Sequence, residues 1–316
     1  MPKNPFSERL VLAVDLGGTH LRVALVDDTG RILKQHKQDT PKGDSAEDII
    51  DALAQAAKRW VCSELPVVAV SIMVPGAVNC EKAVVLQAPN LPSLVNFPLK
   101  TRLEQRLGWP VLLENDANAA AVGEMWVGAA RGCRDVVSVT LGTGVGGGVI
   151  LDGKLWRGSH GSAGEIGHTT VDPFSGLKCK CGNTGCLELF ASATAIVRMT
   201  RESLSLFPET SLKSDRLTAE KVYEAGQKGD ELALAVFKRF GMYLGIGLAN
   251  VINFIDPQII VITGGVVNGW DLFAGEMYGQ VEERAFRAIA QQVKIVKAEC
   301  GDNAGLLGAA RLALQD

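Results

Sequence analysis

The sequence predicts an α/β fold built as two lobes that share one topology. Two glycine-rich turns, Gly17-Gly18-Thr19 and Gly142-Thr143-Gly144, each join a pair of apolar runs. After each pair, segments of helical and strand character alternate. The order of runs and turns also recurs at an offset of 125 residues, which sets Val14 on Val139, Leu16 on Leu141, Gly17 on Gly142 and Asp27 on Asp152.

The elements follow in order. Residues 10–16 and 20–26 are rich in Val and Leu and read as strands around the first turn. The turn Asp27-Asp28-Thr29-Gly30 leads to a third strand from Arg31. In 46–62, Ile49, Ile50, Leu53, Ala57 and Trp60 recur on one helical face. The apolar run 67–74 reads as a buried strand, 98–107 as a short helix, 111–114 as a strand and 117–127 as an alanine-rich helix. The second half repeats the opening with strands at 136–141 and 146–151, the tight turn Asp152-Gly153 and a strand at 154–156. Helices are expected at 191–204, 218–228, 231–254, 276–287 and 304–314, and strands at 258–263 and 293–297. The expected division is a smaller lobe, 1–115 with 301–316, and a larger lobe, 116–300.

Composition narrows the function. The chain has 316 residues, 47% hydrophobic and 21% charged, a balance that builds a core without disulfide staples. A net charge of −3 implies no basic patch, which argues against a nucleic-acid partner. The N-terminus lacks a basic segment followed by an apolar stretch, and apolar runs such as 67–75 fall short of a membrane span. The expectation is a cytoplasmic protein with no membrane partner. Of seven cysteines, Cys179, Cys181 and Cys186 cluster, while Cys62, Cys80, Cys133 and Cys300 are scattered, which argues against a disulfide framework.

Several motifs carry chemistry. Phosphate oxygens need N–H donors in a small arc, and both glycine turns supply close backbone approach and a hydroxyl. The same glycines also serve simply to make tight hairpins. A GxGxxG string lies within 142–148, but a strand rather than a helix follows it, so a dinucleotide-binding reading is weak. Asp15, just before the first turn, is placed to hold magnesium beside phosphates, or to cap the turn. Asp116 stands where a strand meets a helix and is either a helix cap or a general base for a hydroxyl. His168, Cys179, Cys181 and Cys186 form H-x10-C-x-C-x4-C, one imidazole and three thiolates that fill a tetrahedral structural zinc shell. Glu165 and Glu188 flank that module as acceptors for sugar hydroxyls or as surface acids. The segment IIVITGG at 259–265 ends in Gly264 and Gly265, against which a flat ring such as adenosine can lie.

These motifs stand in one order: VDLGGTHLRVAL at 14–25, PGAVN at 75–79, APNLP at 88–92, ENDANAAAVGE at 114–124, LGTGVGGGVI at 141–150, GSAGEIGH at 161–168, CKCGNTGCLE at 179–188 and ITGG at 262–265. In this the chain resembles the ROK family of repressors and sugar kinases, and within it the glucokinase-like kinases. The resemblance implies an actin-like (ribonuclease H-like) ATPase fold, two lobes with a central cleft that closes on the sugar. It implies Asp116 as the catalytic base, and Asn115, Asp116, Glu165, His168, Glu188, Gly76 and Asn90 as sugar contacts. Asp15, Gly17, Gly18, Thr19, Gly142, Thr143 and Gly144 would handle magnesium and the phosphates of ATP, with Gly264 and Gly265 against the adenosine. His168 would both bind zinc and touch the sugar.

One position departs from the family pattern: His20 stands where many family kinases carry lysine. Family repressors bear an additional N-terminal helix-turn-helix domain. About ten residues precede the first strand here, so an enzyme is expected. The expected reaction is ATP-dependent phosphorylation of glucose at its 6-hydroxyl. Other acceptors (N-acetylmannosamine, N-acetylglucosamine, fructose, allose), polyphosphate as donor, and a non-catalytic sugar sensor are the alternatives. Family kinases are often dimers or tetramers, so a homodimer or homotetramer is expected.

Overall fold

The run LVLAVDL is apolar on both of its sides, and the structure uses both. In strand β1 (Leu10–Leu16), Leu10, Leu12, Val14 and Leu16 enter one buried cluster, and Val11 and Ala13 enter another. Such double burial marks a strand inside a sheet covered on both faces. The computed structural model describes residues 9–41, 45–59, 65–79, 82, 84–88 and 90–315. The predicted Trp60 and the end of its helix at 62, with Cys62 and Cys80, lie outside the described residues.

Strands β2 (His20–Asp27) and β3 (Ile32–Asp39) complete the predicted meander, β2 antiparallel to β1 and β3 antiparallel to β2. Helix α1 (Ala46–Lys58) starts at Ser45, whose side chain accepts from the Glu47 amide, and it buries Ile49, Ile50 and Leu53. Strands β4 (Val67–Val74) and β7 (Val111–Asn115) add parallel partners, giving the order β3-β2-β1-β4-β7. Between them lie a small hairpin, β5 (Ala77–Asn79) with β6 (Val84–Gln87), and helix α2 (Leu99–Leu107), which ends at Gly108 in the left-handed region. The hairpin was not predicted, because strands of three and four residues are too short to show a period.

Helix α3 (Asp116–Val127) packs along the last helix, α9 (Ala304–Gln315). Their backbones come so close that a Cβ on Gly123 would overlap the Ala304 carbonyl, and one on Gly308 the Ala119 carbonyl. Small residues at both crossings permit this approach.

The second sheet consists of β8 (Val136–Leu141), β9 (Val145–Leu151), β10 (Lys154–Leu155), β11 (Ile259–Thr263) and β12 (Lys294–Lys297). Its order, β10-β9-β8-β11-β12, reproduces that of the first sheet strand for strand. The GxGxxG string therefore runs into strand β9 and not into a helix, as the sequence indicated. Helices α4 (Ala193–Ser203), α5 (Ala219–Gln227), α6 (Glu231–Ile255), α7 (Trp270–Arg284) and α8 (Arg287–Ala290) belong to this half.

Helix α7 starts six residues before the predicted 276. Gly241 and Gly245 of α6 let α7 approach until their Cβ positions would meet the Phe273 and Met277 carbonyls. Phe273, Met277 and Val281 form the buried stripe of α7. A second expectation needs correction. Helix α6 has 25 residues and is long and apolar enough by length and composition to cross a membrane, although the sequence was read as lacking such a run. Its apolar window is 67% buried within the protein, and Phe240, Leu244 and Leu248 are fully enclosed.

The chain divides into two compact units, 1–136 with 148–164 and 298–316, and 137–147 with 165–297. Helix α3, assigned from the sequence to the larger lobe, falls in the first unit together with α9. Strand β9 begins in the second unit and ends in the first.

Candidate active site and metal centre

In the first unit, β7 delivers Asn115 and Asp116 to the start of α3. Asn115, not Asp116, caps the helix: its Oδ1 accepts from the Ala117 and Asn118 amides at 2.9 and 3.0 Å. Its Nδ2 donates to the Gly76 carbonyl at 2.8 Å, which joins two predicted sugar contacts. Asp116 is the first helical residue and its carboxylate is exposed, with Oδ1 accepting from the Ala117 amide at 2.9 Å. The helix N-terminus favours negative charge there.

Behind this pair lies Glu114, a buried carboxylate that the sequence reading passed over. Oε1 accepts from the Asn115 amide and from Asn118 Nδ2, both at 3.0 Å. Oε2 takes Arg157 through Nε and Nη2, both at 2.7 Å. Its side chain is only 3% exposed, so four donors compensate the lost hydration.

The first glycine turn is held from two sides. Gly17 donates its amide to the His20 carbonyl and accepts Thr40 Oγ1 at 2.7 Å. A Cβ on Gly18 would stand 2.6 Å from Asn90 Cβ, so this turn touches a predicted sugar contact. Asp15 is gripped by Arg22, whose Nε and Nη2 reach Oδ2 at 2.8 and 2.5 Å. His20, at the family's lysine position, pairs its Nδ1 with Asp39 at 3.2 Å, and both side chains are exposed.

In the second unit, the turn after β8 meets the N-terminus of α4. The Gly142 carbonyl accepts from the Ala193 amide at 2.8 Å, and the Thr143 carbonyl from Thr194 Oγ1 at 2.7 Å. The Glu188 carboxylate lies against the same turn, where Oε2 accepts from the Val145 amide at 2.9 Å. A Cβ on Gly144 would overlap that oxygen. Gly264, at φ 92°, packs so close to Leu141 that a Cβ would overlap its carbonyl, while Gly265 faces open space. The structure thus gathers Gly142, Thr143, Gly144, Glu188 and Gly264 at one sheet end.

His168, Cys179, Cys181 and Cys186 come together as the spacing predicts, with their ligand atoms within 4.8 Å of one another. Cys179 Sγ lies 3.6 Å from His168 Nδ1, and Cys181 Sγ lies 3.7 Å from Cys186 Sγ. A disulfide needs about 2 Å. An ion about 2.3 Å from sulfur and 2.0 Å from nitrogen, with tetrahedral angles, sets its ligands roughly 3.5 to 3.8 Å apart. The two closest pairs match that spacing, and the four residues together could hold a metal ion.

Gly182 and Gly185 take positive φ to close the loop, and the Cys179 amide donates to the Asn183 carbonyl at 2.8 Å. Burial pushes the Cys186 thiol up to about 12. The Asn183 backbone, chiefly, holds the exposed Cys181 below the ordinary thiol value. A cation among these groups favours their thiolates. His168 turns its other nitrogen toward Glu165, with Nε2 3.8 Å from Oε2. One imidazole therefore lies between the cysteine cluster and a predicted sugar contact. The module is anchored on α6 through Tyr243, whose hydroxyl donates to Asp172 at 2.8 Å and whose ring stacks on Phe190.

Comparison with known proteins gives relatives along nearly the whole chain. The chain is 36% identical over 318 residues to a glucokinase of Halalkalibacterium halodurans, covering 98% of this chain and 96% of that one. It is 30% identical to a xylose repressor of Caldicellulosiruptor bescii, covering 97% of this chain but 78% of the repressor. A solved ROK glucokinase from Streptomyces griseus, in complex with glucose and AMPPNP, superposes with a TM-score of 0.80 at 38% identity, covering 97% of this chain and all of that one. The two sheets of equal strand order accord with an actin-like ATPase fold. With residues 11–316 matched by the family's profile, this chain belongs to the ROK family.

Proposed function

We propose that this protein transfers the γ-phosphoryl group of ATP to the 6-hydroxyl of glucose. The observation that carries the reading is the division of labour at the start of α3. Asn115 makes the N-cap bonds, and the Asp116 carboxylate stands exposed beside it as the first helical residue, where a substrate hydroxyl can reach it. Asp116 accepts the 6-hydroxyl proton as that oxygen attacks the γ-phosphorus in line, and ADP leaves. On the family resemblance, Asn115, Gly76, Asn90, Glu165, His168 and Glu188 bond the sugar's hydroxyls. Asp15 would hold magnesium, which would supply positive charge to the phosphates. The amides of Gly17 to Thr19 and Gly142 to Gly144 orient the phosphates, and Gly264 with Gly265 backs the adenosine.

Zinc suits the metal centre, because one histidine and three cysteines leave it no open position. Its part is to orient His168 and the loop that carries Glu165 and Glu188. A homodimer or homotetramer in the cytoplasm accompanies this reading on the family resemblance, and sedimentation velocity tests the assembly.

The deciding experiment is a panel of glucose, N-acetylmannosamine, N-acetylglucosamine, fructose and allose with ATP or polyphosphate, followed by sugar-phosphate formation. Glucose with ATP is expected to give the highest kcat/KM. Turnover of another hexose with none of glucose would refute the glucose assignment. A sensor reading has one specific support, the near-complete coverage of this chain by its likeness to a repressor. Binding without turnover across the whole panel would favour it.

A further inference from the structure

We propose that Arg22 is a positioning residue for the metal-nucleotide end of the site, fixing Asp15 and tying it to residues 299–303. This rests on the reading of Asp15 as the carboxylate that holds magnesium.

Asp15 and Arg22 face each other directly in the β1–β2 register. Both of the Arg22 contacts fall on Oδ2, and no hydrogen bond among the described residues falls on Oδ1. The carboxylate is thus held by one oxygen and presents the other. Both side chains are about four-fifths buried, at 21% and 22% exposure, so the pair is shielded from competing water.

The third arm of the guanidinium, Nη1, donates to the Asp302 carbonyl at 2.8 Å. Asp302 lies in a helical turn, Gly301–Asn303, just after the chain returns to the first unit. Two other side chains hold the same stretch. The Glu124 carboxylate, fully buried, accepts from the Glu299 and Cys300 amides at 3.1 and 2.8 Å. Gln35 Nε2 donates to Asn303 Oδ1 at 3.2 Å. Arg22 alone among these three also grips a predicted metal ligand.

The repeat shows that the frame does not require this pair. At the offset of 125, Asp15 falls on Thr140 and Arg22 on Gly147, and the second hairpin forms without either charge. Three donors spread over two partners need the planar fork of arginine, which an ammonium cannot reproduce.

Two physical effects of Arg22 on a bound cation oppose each other. Orientation of Asp15 strengthens the hold on the metal, whereas the positive charge of the guanidinium weakens it. The proposal commits to orientation as the larger.

The test is calorimetric binding of Mg·ADP, and of ADP with chelator, to the full-length wild type, Arg22→Ala, Arg22→Lys, Asp15→Asn and the double variant. Arg22→Ala is expected to weaken Mg·ADP by about 10- to 100-fold, the usual cost of losing a group that orients a metal ligand. Metal-free ADP should bind within about 2-fold of wild type. Arg22→Lys, which keeps the charge and folds on the same frame, should fall between. The double variant should bind no worse than Asp15→Asn alone. Hydrogen exchange at residues 302–303 should quicken in Arg22→Ala.

An equal loss with and without magnesium would reduce Arg22 to a structural role. Tighter binding of Mg·ADP by Arg22→Ala would show that charge outweighs orientation. Either result overturns the proposal and leaves the kinase reading standing. Wild-type ADP affinity that ignores magnesium would overturn the proposal and the role of Asp15 together.

Discussion

Gly17 to Thr19 and Gly142 to Gly144 occupy the same station in two sheets of equal strand order, yet different chemistry stands behind them. The first turn is backed by a carboxylate–guanidinium pair and leans on Asn90. The second has Thr140 and Gly147 at the stations of that pair, and it abuts the N-terminus of α4 and the Glu188 carboxylate. An acid beside the first turn suits a cation, whereas a helix N-terminus beside the second suits phosphate. Repetition of the backbone frame therefore did not repeat the site. One hairpin keeps a close backbone turn, and each copy gains its own role from side chains that arrive from elsewhere in the chain.

The largest expected effect tests whether the chemistry lies outside both turns. Asp116→Asn should lower kcat by about 10²- to 10⁴-fold, the usual contribution of a general base. Glucose affinity measured by calorimetry should stay within a few-fold. Turnover that survives the substitution would return the proton-transfer role to some other group.

Loss of the metal comes next, and it should act on the second unit alone. Cys179→Ser, or removal of metal by a strong chelator, should raise the glucose KM about 10- to 100-fold through misplaced Glu165 and His168. The ATP KM should move far less. Elemental analysis of the purified wild type should find one zinc per chain, and its absence there would discard the zinc assignment.

A third pair of substitutions separates the two ends of one turn. Gly144→Ala pushes the end of the Glu188 side chain off the Val145 amide and should cost about 1 kcal/mol in denaturant unfolding, with weaker sugar binding. Gly142→Ala meets nothing within 4 Å and should stay within about 0.5 kcal/mol of wild type. Equal costs would mean that Glu188 does not depend on this turn.

The smallest effect concerns the anchor of the metal module. Tyr243→Phe removes the hydroxyl bond to Asp172 and should cost about 1 kcal/mol in stability. ATP parameters should be unchanged, since the first turn shares none of these contacts.

Most elements were legible because their periods are local. β4 and β8 fall on their predicted residues, and α6 is displaced by one residue at its end. The small hairpin β5–β6 was not legible, because too few residues carry its pattern. The start of α7 was misread because Gly275 and Gly279 lower its local helix propensity, while packing against Gly241 and Gly245 of α6 decides where it begins. The membrane-length character of α6 was hidden by Lys238 and Arg239 near its middle.

By itself, the sequence determined the two glycine turns, the alternation of strands and helices, and the four residues of the candidate metal centre. These depend on neighbours a few residues apart, where spacing translates directly into geometry. Only the tertiary structure decided that Asn115 and not Asp116 caps α3, that Glu188 supports a turn 43 residues away, and that Arg22 joins Asp15 to Asp302, 280 residues along the chain. No local period encodes such pairs. Packing of distant segments sets them, and each side chain then settles on whichever partner satisfies its hydrogen bonds where water is excluded.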